Sequence, residues 1–255
     1  MIRNYGWREN VEMRSGAAVR AVSPNDRAPE FRPGAATIRF GVPANTSNPQ
    51  LVPARSRLKR GFDIVAGTLL LIGFAPLLGL LALVVSLDGG PALFGHRRVG
   101  ADGRPFTCWK FRSMVVNAEA VLAETLARDP QARREWQRDF KLKNDPRVTR
   151  LGRFLRKSSM DELPQLLSVI TGEMSLIGPR PIVTAEVERY GTAFADYAAC
   201  RPGITGLWQV SGRNDIDYAS RVAIDRQYAR SWSFLGDLTI LMKTVGVVLR
   251  RSGAY

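Results

Sequence analysis

From Ile64 to Leu87 the chain reads IVAGTLLLIGFAPLLGLLALVVSL, 24 residues without a charged side chain and with apolar residues on every helical face. A helix in a soluble core keeps one polar side, so this pattern predicts a helix surrounded by lipid. Drawn straight it is about 36 Å long, enough for a hydrocarbon layer of about 30 Å. Pro76 stands near its middle, between Gly73 and Gly79. Proline lacks the amide donor and its ring presses on the preceding turn, which predicts a sharp bend there. Basic residues flank both ends, with Arg55, Arg57, Lys59 and Arg60 before and His96, Arg97 and Arg98 after. Lys and Arg clusters stay on the cytoplasmic side of a bilayer, so two basic flanks favour two ends on one face. A spanning helix and a re-entrant helix that turns back within one leaflet both fit these features.

Beyond Leu87 the patterning becomes that of a folded domain, mainly α with a small β-hairpin (α+β). Residues 92–99 and 104–111 are expected as strands around a Gly100–Gly103 turn. Residues 117–142 are expected to be helical, with one interruption at Asp129-Pro130. In DPRVTRLGRFLRKSSM, Arg147, Arg150, Arg153 and Arg156 recur every three residues with Val148, Leu151, Phe154 and Leu155 between them. This predicts a short basic amphipathic helix, suited to the headgroup plane of an anionic membrane and able to dock through Leu151 and Leu155. Leu163, Leu166, Leu167 and Ile170 keep helical spacing up to Gly172, so 160–171 is expected as a helix, with Ser159 and Glu162 forming a capping box. Pro181 suits the first position of a helix running to Tyr190. Residues 1–54 show no lasting periodicity and no signal-peptide run, and are expected to be a largely disordered cytosolic tail. The expected organisation is this tail, a membrane segment over 55–91 and a folded domain over 92–255.

Charge narrows the partners. The chain has 37 Lys and Arg against 23 Asp and Glu, a net charge of +14, which implies nucleic acid, anionic lipid or a phosphorylated substrate. Cys108 and Cys200 lack CxxC spacing, so no thiolate site is suggested, and His96 as the only histidine excludes a His-triad zinc site, so any metal falls to oxygen ligands. No GxxxxGK[ST] or GxGxxG nucleotide loop occurs. Within this cationic chain SSMDELPQLL sets Asp161 beside Glu162, directly after Arg156 and Lys157. Acids in a first helical turn are stabilised by the macrodipole, which accounts for Glu162 but leaves Asp161 and the clustered cations unexplained. Gly178-Pro179-Arg180-Pro181 is a rigid loop whose Arg180 can offer a bidentate fork to phosphate. RPGITGLWQVSGR, residues 201–213, adds a Gly-rich loop with Arg201 and Arg213.

Taken in order, KFRSM (110–114), LRKSSMDELPQL (155–166), MSLIGPRP (174–181) and RPGITGLWQVSGR (201–213), behind an apolar Pro-centred segment, resemble the bacterial sugar transferases. These are polyprenyl-phosphate hexose-1-phosphate transferases, also termed small monotopic phosphoglycosyl transferases. The resemblance covers about residues 55–255. It implies a re-entrant helix, with Ala75 in place of the Ser usual before the bend Pro, at the cytoplasmic face of the inner membrane. It implies transfer of hexose 1-phosphate from a UDP-sugar to undecaprenyl phosphate with release of UMP, the first membrane step of exopolysaccharide, capsule or O-antigen synthesis. It further implies Asp161 as a nucleophile that becomes an acyl phosphate, Glu162 as a ligand of Mg²⁺, and Arg156 gripping phosphate. Lys110, Arg112, Arg180 and Arg201 are then candidates for pyrophosphate or acceptor phosphate. Adjacent helical residues point about 100° apart, which suits two acids with two roles. Anionic lipid is an expected partner, a homo-oligomer is a candidate state, and nucleic acid is not expected beside 64–87 and the acid pair. A Mg²⁺-dependent phosphohydrolase and a non-enzymatic membrane scaffold are the alternatives.

Overall fold

The computed structural model describes Pro53 and residues 56–139, 142–212 and 217–250. Pro53 apart, the tail expected over 1–54 lies outside the described residues, as does Arg213. Helix α1 (Arg57–Ser86) opens on Ser56, whose hydroxyl accepts from the Lys59 amide, and carries Pro76 within one continuous helix. Lys59, Asp63 and Gly67 near its start and Leu81 and Val85 near its end are buried against the rest of the protein. Between them Ile72, Gly73, Phe74, Ala75 and Pro76 are exposed in succession. Five consecutive helical residues cover more than a full turn, so the middle of α1 stands clear of protein on all sides while both ends are docked.

The hairpin forms as expected. β1 (Leu93–Val99) pairs antiparallel with β2 (Pro105–Phe111), setting Phe94 opposite Lys110, His96 opposite Cys108 and Arg98 opposite Phe106. Alternation puts these six residues on one face, which turns inward because Phe106 and Cys108 belong to the main core. α2 (Ala118–Arg128) and α3 (Pro130–Asp139) break at Asp129-Pro130, where the Asp129 carboxylate accepts from the amides of Gln131 and Ala132. α4 (Arg150–Ser158) docks Leu151 and Leu155 on Leu81, Val85 and Phe111. It begins later than expected. Thr149 caps the Gly152 amide, so Arg147 lies before the helix, buried and paired with Asp145 at 2.6 Å rather than facing lipid. Arg150, Arg153, Phe154 and Lys157 form its exposed face.

The single helix expected over 160–171 is replaced by a 3₁₀ turn, Met160–Glu162, followed by α5 (Gln165–Thr171). Ser159 takes a left-handed conformation, φ 57°, to close α4. Its side chain caps nothing in that role, and the expected capping box is absent. Gly172 ends α5 at φ 94°, as its position suggested. After β3 (Ser175–Ile177), Pro181 does not open a helix. The Ile182 carbonyl accepts from Val99, its amide donates to the Tyr197 hydroxyl, and regular turns begin only at Thr184, leading into α6 (Val187–Tyr190). α7 (Phe194–Ala198), β4 (Gly203–Thr205), α8 (Leu207–Ser211), α9 (Tyr218–Arg230) and α10 (Phe234–Arg250) complete the described chain.

A second sheet, not anticipated, pairs β3 parallel with β4, Ser175 beside Gly203 and Ile177 beside Thr205. This pairing accounts for the glycines of the two distant motifs. A Cβ on Gly178 would lie 2.3 Å from the Arg201 carbonyl, one on Gly203 2.1 Å from the Gly178 nitrogen, and one on Gly206 2.0 Å from the Gly178 carbonyl. Backbone meets backbone there, with no room for a side chain.

α10 anchors to the start of α1. The Lys59 ammonium donates to Asp237 at 2.6 Å and to the Ile177 carbonyl at 2.8 Å, and Phe62 meets Phe234 edge-on. On its outer side α10 exposes Leu235, Leu238, Met242 and Val245. Asp225 of α9 is buried and accepts from the Tyr190 hydroxyl at 2.7 Å. Burial pushes its carboxyl up to about 7, above the ordinary 3.8. The folded state therefore binds a proton that the unfolded chain has released, and this contribution to stability is complete below about pH 4 and lost as pH rises through about 7. Asp225→Asn keeps an acceptor for Tyr190 without the titration. It is expected to unfold later than the parent at pH 8 and to flatten the fall in melting temperature between pH 4 and 7.

Candidate active site

The acid pair sits in the 3₁₀ turn between α4 and α5, against the end of β2. Lys110 on the inner face of β2 donates to Glu162 Oε1 at 2.5 Å. Three residues later Ser113 receives the Nε–H of Arg156 at 2.9 Å, and its carbonyl accepts from the Thr149 amide at 3.1 Å. Gly152 is needed for this approach, since a Cβ there would fall 1.9 Å from the Ser113 carbonyl. KFRSM and the α4 motif thus form one unit that fixes Lys110 and Arg156 on Asp161 and Glu162.

Asp161 is 8% exposed. Burial pushes its carboxyl up to about 6, with the Glu162 charge adding and Lys110 and Arg156 opposing. Burial also acts upward on Glu162, but contact with Lys110 and the nearby charges of Arg180 and Arg98 hold it below the ordinary carboxylate range. Two adjacent acids therefore have different characters, one desolvated beside two cations and one firmly ionised. Among the described residues no group of three or more His, Cys, Asp or Glu converges as a metal cage. The pair nonetheless suits a Mg²⁺ ion, which binds through one or two carboxylates and completes its shell with water and substrate phosphate. Glu162 keeps Oε2 for that purpose.

The other basic candidates separate. Arg180 reaches the site, its guanidinium 5.5 Å over the Trp208 ring and its charge felt at Glu162. Arg112 does not. Its Nε–H goes to the Pro91 carbonyl, Nη1 to Asp88 and the Met114 carbonyl, and Nη2 to the Val85 carbonyl and Asp88. All five donors of a guanidinium are spent tying down the end of α1, leaving none for phosphate. Arg201 donates to the Gly172 carbonyl while Arg60 takes the carbonyls of Val169 and Ile170, so both cap the C-terminus of α5. The length of α5, about 10 Å, separates that end from the acids. Ser113 and Arg98 are neighbours of the site that spacing alone did not single out. For Arg98 the signal was strand alternation, which places it on the same face as Lys110.

Residues 54–251 match the family described as bacterial sugar transferase. An undecaprenyl-phosphate galactose phosphotransferase of Salmonella typhimurium is 58% identical over 198 residues, 78% of this chain and 42% of that protein. The exopolysaccharide production protein ExoY of Rhizobium meliloti is 48% identical over 221 residues, 86% of this chain and 97% of its own length. A UDP-glucose:undecaprenyl-phosphate glucose-1-phosphate transferase of Escherichia coli is 41% identical over 209 residues, 78% and 41% of the two chains. The chain thus spans about two fifths of the length of the Salmonella and Escherichia relatives and nearly all of ExoY.

Proposed function

Since the chain belongs to the bacterial sugar transferase family, we propose that it is a transferase that moves hexose 1-phosphate from a UDP-sugar to undecaprenyl phosphate, an opening step of exopolysaccharide synthesis. The observation that carries this reading is Asp161, buried between Arg156 and Lys110 with an ionised Glu162 beside it. In the first step a carboxylate oxygen of Asp161 bonds to the sugar-bearing phosphorus of the donor. The phosphoanhydride bond breaks, and its electron pair leaves with UMP. In the second step an oxygen of undecaprenyl phosphate bonds to the same phosphorus and returns the Asp161 carboxylate. Arg156 and Lys110 offset the negative charge carried by the phosphoryl group in both steps. Glu162 would hold Mg²⁺, which when bound draws charge from the donor's phosphate oxygens. Splitting the transfer lets a water-soluble donor and a lipid acceptor use one site in turn.

The acceptor places the site at a membrane, and three surfaces support the cytoplasmic face of the inner membrane as its location. Both ends of α1 are docked on one body while its apolar centre, with Pro76, stands clear, as a re-entrant helix requires. α4 presents Arg150, Arg153 and Lys157 around Phe154 beside the second half of α1. α10 presents Leu235, Leu238, Met242 and Val245 beside the first half. A basic face and an apolar stripe at the two roots of a lipid-dipping helix suit an anionic bilayer surface.

The test is UMP release by the full chain in lipid nanodiscs, beginning with UDP-galactose because a 58%-identical relative carries galactose in its name. Release that requires both undecaprenyl phosphate and Mg²⁺ is expected. Free sugar phosphate formed without the lipid would indicate a phosphohydrolase. No release from any of a panel of UDP-hexoses and their acetamido forms would indicate a scaffold.

A further inference from the structure

Most of the well-buried arginines have committed partners. Arg112 spends every donor, Arg147 holds Asp145, and Arg221 holds Glu186 Oε1 at 2.8 Å. Arg98 is different. It projects from the inner face of β1 with its side chain 18% exposed, yet its contacts are one long bond to the Pro181 carbonyl, 3.3 Å, and Glu186 Oε2 at 3.9 Å. Charge-assisted bonds close to about 2.8 Å when they are the intended partner. Glu186 is already occupied, its Oε1 by Arg221 and its Oε2 by the Val183 amide.

Arg98 touches the peptide next to Arg180, and that second guanidinium stacks on Trp208 with no carboxylate in ion-pair range among the described residues. In this partly desolvated wall burial and then the Arg180 charge act against the charge of Arg98. His96 lies on the same face between Arg98 and Lys110. Burial and then these two cations push its imidazole down to about 4. A dianion would offset the charge of such a wall.

The charges also have an order. Lys110 and Arg98 stand on one face of the hairpin, Lys110 in contact with Glu162 and Arg98 against the Pro181 carbonyl beside Arg180, while Arg156 comes from α4 and meets Ser113. One anion position therefore lies at Asp161 and Arg156, a second at Arg98 and Arg180, and Glu162 lies between them. Arg156 belongs to α4, whose exposed face is assigned above to the membrane, so the second position is on the side reached by a soluble ligand. We propose that Arg98 and Arg180 form the subsite for the nucleotide-side phosphate of the donor, the phosphate that departs as UMP. This rests on the reading of the chain as a UDP-sugar transferase and adds to it Arg98 as a substrate-binding residue.

The experiment compares binding of UMP and of uridine to the full chain in nanodiscs by calorimetry, for the parent, Arg98→Gln and Arg98→Lys, with thermal unfolding of each. UMP is expected to bind Arg98→Gln about 10- to 100-fold more weakly, the range of a charge-assisted contact, while uridine binding is unchanged. Arg98→Lys, which keeps the charge without the fork, is expected to fall between. Without ligand, Arg98→Gln should melt at the same temperature as the parent or higher, because one of two crowded charges is gone. A structural arginine gives the reverse, and a clear loss of melting temperature in both variants would overturn the proposal. So would parental UMP affinity in Arg98→Gln, or a loss that falls on the KM for undecaprenyl phosphate instead, which would move Arg98 to the acceptor. Failure of the parent itself to bind UMP would overturn the transferase reading, a result distinct from any of these.

Discussion

Asp161→Asn is expected to lower turnover by on the order of 10³-fold or more and to remove the covalent sugar-phosphate adduct in the same variant. The amide matches the carboxylate in size, so the 3₁₀ turn and the packing of α4 persist. What is lost is the anionic oxygen that bonds to phosphorus. Because Asp161 is buried and its carboxyl is pushed up to about 6, a neutral side chain there relieves a burial cost, and the variant should melt no earlier than the parent. Loss of activity with retained stability separates a chemical role from a structural one. Glu162→Gln differs in kind. It releases Lys110 and weakens the Mg²⁺ requirement, so the adduct should still form, slowly, and at higher Mg²⁺ concentration. The measurement is the intact mass of the protein after brief exposure to UDP-sugar without acceptor, beside steady-state UMP release. Asp161→Ala run in parallel excludes recovery through deamidation of Asn. An adduct on the Asp161 variants would move the covalent intermediate to another residue, and more than trace turnover without an adduct would leave direct transfer between the two substrates.

The parts of this molecule legible from its sequence are those fixed by local chemistry. The Gly100–Gly103 turn, the break at Asp129-Pro130 and the stop at Gly172 each follow from the conformational demands of a few residues, and each is found. The acid pair was legible because two carboxylates in so cationic a chain ask for an explanation. The assignments that shifted depend on partners far along the chain. Arg112 and Arg180 read alike in sequence, but one spends its donors on Asp88 and three carbonyls while the other faces Glu162. Ser159 precedes an acid three positions on, as a capping residue does, yet the end of α4 claims it first. The parallel pairing of β3 with β4 joins segments separated by about 25 residues and leaves only short runs, SLI and GIT, too brief for any period. Its trace in the sequence is the glycines at 178, 203 and 206, each needed by the other strand's backbone.

Asp237→Ala carries the largest expected loss of stability, about 3–5 kcal/mol, the range for removing one partner of a buried ion pair. Lys59 and Asp237 have side chains 3% exposed, and Asp237 also accepts from the Tyr228 hydroxyl at 2.8 Å and the Trp232 indole at 2.9 Å. Removing the carboxylate leaves an ammonium in a dry setting whose remaining hydrogen bond is to the Ile177 carbonyl at 2.8 Å, with the buried Asp63 carboxyl as its acidic neighbour. Tyr228 keeps a second acceptor in that same carbonyl, whereas the Trp232 N–H is left without one. The pair joins the root of α1 to α10, so the damage should not be spread evenly. Amide exchange in α10 and in the first turns of α1 should rise before that of the β1–β2 hairpin, which is measurable by hydrogen exchange on the chain in nanodiscs. Lys59→Met added to Asp237→Ala removes the stranded charge and is expected to restore part of the loss, because an apolar pair of similar bulk can replace a buried ion pair. Recovery will be incomplete, since Trp232 remains unpaired. A double variant no more stable than Asp237→Ala alone would show that the cost lies in the Tyr228 and Trp232 bonds, and that α1 is held at its root by Phe62 and Ala66 in the core rather than by charge.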